Sequence, residues 1–217
     1  MRDVTEIVII LDESGSMSTK VNDVIGGFNK FISEQKKVPG EANVTLATFN
    51  SPGTYEQVFS RKPLINVEEL NTKTYSPGGM TALLDAVGRT IDYEGECLRN
   101  IDEPQRPDKI MFIIITDGEE NSSTEYKKSR ILEMIEHQTE VYKWQFIYLG
   151  ANQDAFSEAA SMGIPTINAL NYVADQKGFV SAYSSMSECV SSYRSTGSYT
   201  VKDKDDRNTS ATWTTKK

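Results

Sequence analysis

The chain has 217 residues, 38% of them hydrophobic, and a formal net charge of −8. That length suits one large domain and leaves room for at most a very small second one. The acidic balance argues against a general nucleic-acid binder, because phosphate affinity rests on Lys and Arg. No apolar run approaches the roughly 20 residues that span a bilayer, which argues against a membrane protein. A single histidine, His137, removes a His-rich zinc site and leaves Ser-His-Asp catalysis one candidate base.

The N-terminal residues run straight into Ile7-Val8-Ile9-Ile10-Leu11, five apolar residues that read as a buried, parallel-type strand over about 5–11. No basic segment, apolar stretch and cleavage site precedes it, so no signal peptide is expected. Val21, Val24, Ile25, Phe28, Phe31 and Ile32 follow at three-to-four spacing and predict an amphipathic helix, stopped by Pro39-Gly40. A second strand is expected over 44–49 and a third over 55–60, paired antiparallel at the sheet edge because the link between them is short. A helical turn is expected at Val67–Leu70. The next helix carries Leu84, Val87 and Ile91 on one face, with Thr81 in its first turn.

Lys109 to Thr116 reads as another central strand. It leads into a helix with Ile131, Leu132 and Ile135 on its apolar face, capped by Ser123 or Thr124. Residues 144–149 form a further strand and 155–162 a short helix ended by Gly163. A last edge strand is expected over 164–169, and a final helix over 175–194 with Phe179, Tyr183, Met186, Val190 and Tyr193 in one stripe. Strands and helices alternate almost throughout. The fold class is therefore α/β, a mainly parallel sheet with one antiparallel edge strand and helices on both faces. Residues 1–194 form the domain. Residues 195–217 read as a polar C-terminal tail with little core to bury, Trp213 being idle or an anchor for a partner. With only Cys97 and Cys189 and no export signal, a reduced, cytoplasmic compartment is expected.

Three segments carry chemistry. Asp12-Glu13-Ser14-Gly15-Ser16 leaves the first strand with a carboxylate and two hydroxyls at alternate positions. Gly78-Gly79-Met80-Thr81 opens a helix, and Thr116-Asp117-Gly118 closes a second buried strand. An open α/β sheet puts its ligands just past the carboxyl ends of its strands. All-oxygen donors suit a hard divalent cation, which takes six oxygens in an octahedron when it is Mg²⁺. Asp12, Ser14, Ser16, Thr81 and Asp117 are thus read as a site for Mg²⁺ or Mn²⁺. The plainer reading of the first three is a turn and helix cap. Glu119, Glu120 and Asn121 read as a solvated loop beside the site. Asp85 reads as a second-line hydrogen-bonding, capping or surface residue, Asn152, Gln153 and Asp154 as a turn and cap, and His137 as a surface residue.

These residues resemble the von Willebrand factor A domain, whose metal-ion-dependent adhesion site is written D-x-S-x-S, then a threonine, then an aspartate in a T-D-G-type loop. The motif is complete in Asp12, Ser14, Ser16, Thr81 and Asp117, and the similarity of strand and helix order extends over roughly 4–194. Asp-Glu-Ser-Gly-Ser-Met and Thr-Asp-Gly-Glu-Glu-Asn resemble bacterial and phage intracellular members more than extracellular adhesion receptors. The resemblance implies a Rossmann-like, doubly wound fold with the metal at the top of the sheet. It also implies a non-enzymatic module in which an acidic side chain of a protein partner, or of another copy of the chain, completes the coordination.

Two other readings compete. One is a metal-dependent hydrolase or phosphatase on a similar sheet. Haloacid-dehalogenase-like phosphatases want a second carboxylate two residues after the first, where this chain has Ser14, and a lysine near the phosphate, for which no motif stands out. The other is a structural or assembly protein in which the metal only stabilises the fold.

Overall fold

The computed structural model describes residues 3–151, 155–173, 175–201 and 212–214. Its centre is a six-stranded sheet in the order β3-β2-β1-β4-β5-β6. The strands are β1 (Val4–Asp12), β2 (Glu41–Phe49), β3 (Glu56–Pro63), β4 (Lys109–Thr116), β5 (Gln145–Ala151) and β6 (Ala169–Tyr172). All neighbours pair in parallel except β2 and β3, the antiparallel pair at one edge. β1 lies between β2 and β4, and Ile7 to Leu11 are all fully buried, as a strand covered on both faces requires.

Among the described residues five helices cover the two faces: α1 (Val21–Gln35), α2 (Leu83–Arg99), α3 (Lys128–Tyr142), α4 (Ala155–Ser161) and α5 (Gln176–Thr196). Alternation along β1 divides the core. Ile7, Ile9 and Leu11 pack with Phe28 of α1 and with Phe179, Tyr183 and Met186 of α5. Val8 and Ile10 pack with Leu83 and Val87 of α2, Ile131 and Ile135 of α3, and Ala159 of α4. At about 1.5–3 kcal/mol for each fully buried aliphatic side chain, β1 alone gives both layers a large common stake. The doubly wound, mainly parallel sheet with one antiparallel edge strand is as the sequence predicts.

Several boundaries differ, each for a local reason. α1 is preceded by a 3-10 turn, Gly15–Lys20, that carries the chain out of the first loop. The turn expected at Val67–Leu70 lies instead at Leu64–Asn66, where Leu64 buries itself. α2 begins at Leu83, so Thr81 stands before the helix, held by loop hydrogen bonds. α3 begins at Lys128 with no side-chain cap, because the backbone of residues 122–126 is held by Glu120 and Asp85 instead. The last strand of the sheet is Ala169–Tyr172, after a 3-10 turn at Thr166–Asn168 that occupies part of the span expected for it.

The expectation of little to bury after residue 194 fails for the start of that stretch. Tyr199 and Val201 are buried in the α1–α5 layer, and β7 (Ser198–Thr200) pairs antiparallel with β8 (Thr212–Thr214), Tyr199 opposite Trp213. Cys97 and Cys189 are not joined in a disulfide, and the Cys189 thiol donates to Thr200 O at 3.1 Å. Asn152, Gln153 and Asp154 lie outside the described residues. Among the described residues no helix is long and apolar enough to cross a membrane.

Candidate metal centre

The strand order reverses direction at β1 and β4, and the crevice past their carboxyl ends is where a doubly wound sheet binds ligands. Asp12 is the last residue of β1 and Thr116 the last of β4. The loops that leave these strands, together with those after β2 and before α2, are joined by backbone hydrogen bonds. Gly15 N–H donates to Gly79 O at 3.1 Å and Gly78 N–H to Glu13 O at 2.9 Å, tying the first loop to the second glycine-rich segment. Glu13 N–H donates to Phe49 O and Ala82 N–H to Asn50 O, both at 2.8 Å. Gly79 sits at φ +78, a conformation that disfavours any side chain, and a Cβ there would lie 2.4 Å from Ser51 Oγ.

A second set of bonds fixes the loop after β4. Asn121 N–H donates to Thr81 O at 3.1 Å, and Thr81 N–H donates to Asn121 Oδ1 at 3.0 Å. Glu120 accepts from the N–H groups of Leu84, Ser122 and Ser123 and from the Ser123 hydroxyl. Asp85 is buried and accepts from the N–H groups of Thr124, Glu125 and Tyr126 at 2.8–2.9 Å. Glu120 and Asn121 therefore bracket the loop, Glu119 and Asn121 being exposed as a solvated loop requires, and Asp85 acts one layer further back. The bonds that tie this loop to the start of α2, from Thr81 and Leu84 and to Asp85, leave no trace in sequence spacing, because they join residues 36 to 41 apart.

On this frame all five predicted side chains come together. Asp12 is fully buried; its Oδ1 accepts from Ser14 N–H at 2.7 Å and its Oδ2 from the Thr116 hydroxyl at 2.6 Å. Ser14 Oγ lies 3.0 Å from Ser16 Oγ, and the Ser16 hydroxyl donates to Asp117 Oδ1 at 2.5 Å. Gly118 locates Thr81 in the same cluster. A Cβ on Gly118 would fall 2.9 Å from Thr81 Oγ1, 3.4 Å from Ser16 Oγ and 3.7 Å from Asp12 Oδ2. Asp12, Ser14 and Thr81 are buried, whereas Ser16 is exposed and marks the open side. Burial pushes the Asp12 carboxyl up to about 6, partly offset by the hydrogen bonds from Thr116 and Ser14. Outside the five, Tyr75 O–H donates to Asp12 O at 2.7 Å and Tyr172 O–H to Thr116 O at 3.2 Å, pinning the ends of β1 and β4.

The donor set fits a hard cation. Two carboxylates and three hydroxyls converge where a Cβ would intrude, and one cation is already in residence: the Lys20 ammonium pairs with Asp117 Oδ2. Among the described residues no group of three or more His, Cys, Asp or Glu side chains is placed to hold a metal, so this hydroxyl-rich cluster differs from a thiolate or imidazole zinc site. Sequence reasoning missed Lys20. The signal was a lysine four residues after Ser16, at the start of a helix, where a cation runs against the helix dipole and needs a local reason. His137 lies away from this chemistry: it is exposed on α3, edge-on to Tyr142, and lines a cavity with Pro107 and Ile110 near the start of β4, whereas the cluster lies past that strand's end.

A cavity of about 380 Å³ adjoins the cluster, lined by Asp117, Glu119, Glu120, Tyr148, Lys128 and Glu158 among others. No curated protein matches the chain significantly. Solved structures do share its fold. The proximal thread matrix protein 1 from the mussel byssus, in a structure with a zinc-occupied MIDAS motif, is 13% identical over 86% of this chain and 46% of its own, with a TM-score of 0.59. The pilus adhesin SpaC from Lactobacillus rhamnosus GG, in an open conformation, is 13% identical over 86% of this chain and 30% of its own, with a TM-score of 0.62. A von Willebrand factor type A structure from Catenulispora acidiphila is 15% identical over 84% of this chain and 41% of its own, with a TM-score of 0.52. The chain thus spans less than half the length of each of these neighbours. The sequence profile of the von Willebrand factor type A domain matches residues 6–177, and the chain belongs to that family.

Proposed function

We propose that this chain is a divalent-metal-dependent protein-binding module, with a complete metal-ion-dependent adhesion site formed by Asp12, Ser14, Ser16, Thr81 and Asp117. The observation that carries the reading is the convergence of all five side chains, Thr81, Ser16 and Asp12 crowding the Cβ position of Gly118 and Ser14 and Asp117 each bonded to Ser16, on loops locked to one another. Mg²⁺ or Mn²⁺ would be held by the hydroxyls and the two carboxylates, and its chemistry there is that of a Lewis acid accepting one further oxygen. Two carboxylates only match the charge of the ion, so the filled site is no longer anionic and the ion can still accept an acidic side chain of a partner. That partner is another protein or a second copy of this chain. The reading is non-catalytic: Ser14 stands where a phosphatase of similar layout needs a second carboxylate. The two thiols support a reduced, cytoplasmic setting, and the wording of the two acidic loops supports a place among bacterial or phage intracellular members. Residues 1–194 are the module in this reading, with the buried Tyr199 and Val201 extending its core past that boundary.

Ligand bound only by the native state raises apparent stability by mass action. Thermal unfolding in EDTA and then in millimolar Mg²⁺ or Mn²⁺ should show a rise of several degrees in the wild type, lost in Asp12→Ala and in Ser14→Ala/Ser16→Ala. The same variants then serve as controls for partner capture with and without chelator. A wild type indifferent to metal, or variants that respond as it does, would contradict the assignment. A metal that stabilises while leaving partner capture unchanged would favour a purely structural ion.

A further inference from the structure

Lys20 is the residue that the metal reading leaves unexplained. It is the N-cap position of α1, where the partial positive charge of the helix end makes an ammonium unfavourable, and it makes no capping bond. Its side chain is nonetheless folded inward, only 14% exposed, with its ammonium on Asp117 Oδ2; the Asp117 side chain is 2% exposed. Asp117 Oδ1 is taken by the Ser16 hydroxyl at 2.5 Å. Both oxygens of this candidate ligand are therefore engaged within the chain, one by a full positive charge.

We propose that Lys20 is a tethered cation that competes with the divalent ion for Asp117. This rests on the metal assignment above and adds to it the residue that sets the site's affinity. In the state described here the ammonium neutralises the shielded Asp117 carboxylate. A divalent ion that takes Asp117 as a ligand must displace the ammonium, and the cost of breaking a shielded, close pair is subtracted from metal affinity. Lys20 stays attached at the start of α1, so its charge remains near the mouth once displaced. The two carboxylates with one ammonium leave the cluster negative; with a divalent ion added it becomes positive. Loading thus switches the sign of the charge that an approaching carboxylate meets, and an acidic partner is admitted only after the metal.

The test uses Mn²⁺ as the probe, titrated by calorimetry and by the loss of its free-ion paramagnetic resonance signal. Wild type, Lys20→Met, Lys20→Arg and Asp12→Ala are compared as full chains. Lys20→Met, which keeps an apolar stem and removes the charge, should bind Mn²⁺ about tenfold more tightly or better. Its melting temperature in EDTA should be lower than the wild type's, because Asp117 has lost its counter-charge, and Mn²⁺ should raise it further than it raises the wild type. Lys20→Arg should stay within a few-fold of the wild type. Equal or weaker Mn²⁺ affinity in Lys20→Met, with binding still lost in Asp12→Ala, would overturn the role of Lys20 and leave the metal site standing. No Mn²⁺ binding in wild type and Lys20→Met alike would overturn both.

Discussion

At the scale of single residues, two buried carboxylates far from the candidate centre set a pH response of their own. Glu6 on β1 and Glu94 on α2 are fully buried and share one guanidinium. Arg61 Nη2 lies 3.1 Å from Glu6 Oε2 and Arg61 Nη1 lies 3.3 Å from Glu94 Oε2. Thr45 donates to Glu94 Oε1 at 2.5 Å and Asn43 to Glu6 Oε2 at 3.3 Å, while Glu6 Oε1 has no partner. Burial first, and the Glu94 charge second, push Glu6 up to about 8. A carboxyl raised in the folded state binds a proton that the unfolded chain has released. Stability should therefore fall as pH rises from about 4.5 to about 8, by roughly 1.4 kcal/mol per pH unit for a single such proton. Glu6→Gln should flatten that decline and leave the variant the more stable protein above pH 8, in urea unfolding measured across the range. An unchanged pH slope in the variant would contradict the assignment. Such partnerships are invisible in sequence: Glu6 reads as one polar residue before an apolar run, and Arg61 is brought to it by a backbone at φ +44. Asp12, Ser14 and Ser16 were legible because their spacing is local, and Thr81 and Asp117 because each follows glycines or a strand end. Lys20 was not, because a lysine before a helix ordinarily faces water.

At the scale of elements, α5 is fastened to the end of α1 and the loop before β2 by a buried cation. Arg194, 3% exposed, donates from Nη1 to Gln35 O at 2.6 Å and from Nη2 to Gly40 O at 3.0 Å and Val38 O at 3.3 Å. The guanidinium thereby satisfies carbonyls at the C-terminal end of α1, where a positive charge also suits the helix dipole. Arg194→Ala orphans these acceptors, and chemical denaturation should show a loss of about 2–4 kcal/mol. A loss under about 0.5 kcal/mol, the size expected of an ordinary surface change, would contradict this role. The stripe of Phe179, Tyr183, Met186, Val190 and Tyr193 was readable from its period, since a helix buried on one side must show it. The starts of α2 and α3 were not. Where those helices begin depends on Asn121, Glu120 and Asp85 holding loop backbone across long sequence separations.

At the scale of the whole molecule, the alternation of apolar strands with amphipathic helices fixed a two-faced sheet before any contact was known, because β1 and β4 can be buried on both sides in no simpler way. The strand order then places one crevice at the ends of β1 and β4, and the cluster falls there. What the alternation does not carry is the stretch after α5, where buried Tyr199 and Val201 continue the α1–α5 layer. In the proposed centre a divalent cation is held by the oxygen-bearing side chains of Asp12, Ser14, Ser16, Thr81 and Asp117. The most direct measurement is anomalous diffraction from crystals of the full chain grown with Mn²⁺. The expected result is a Mn²⁺ peak within coordination distance of the Ser14 and Ser16 hydroxyls, beside Asp12, Thr81 and Asp117, with the Lys20 ammonium moved off Asp117. No peak at this cluster, or Mn²⁺ bound only elsewhere on the acidic surface, would contradict it.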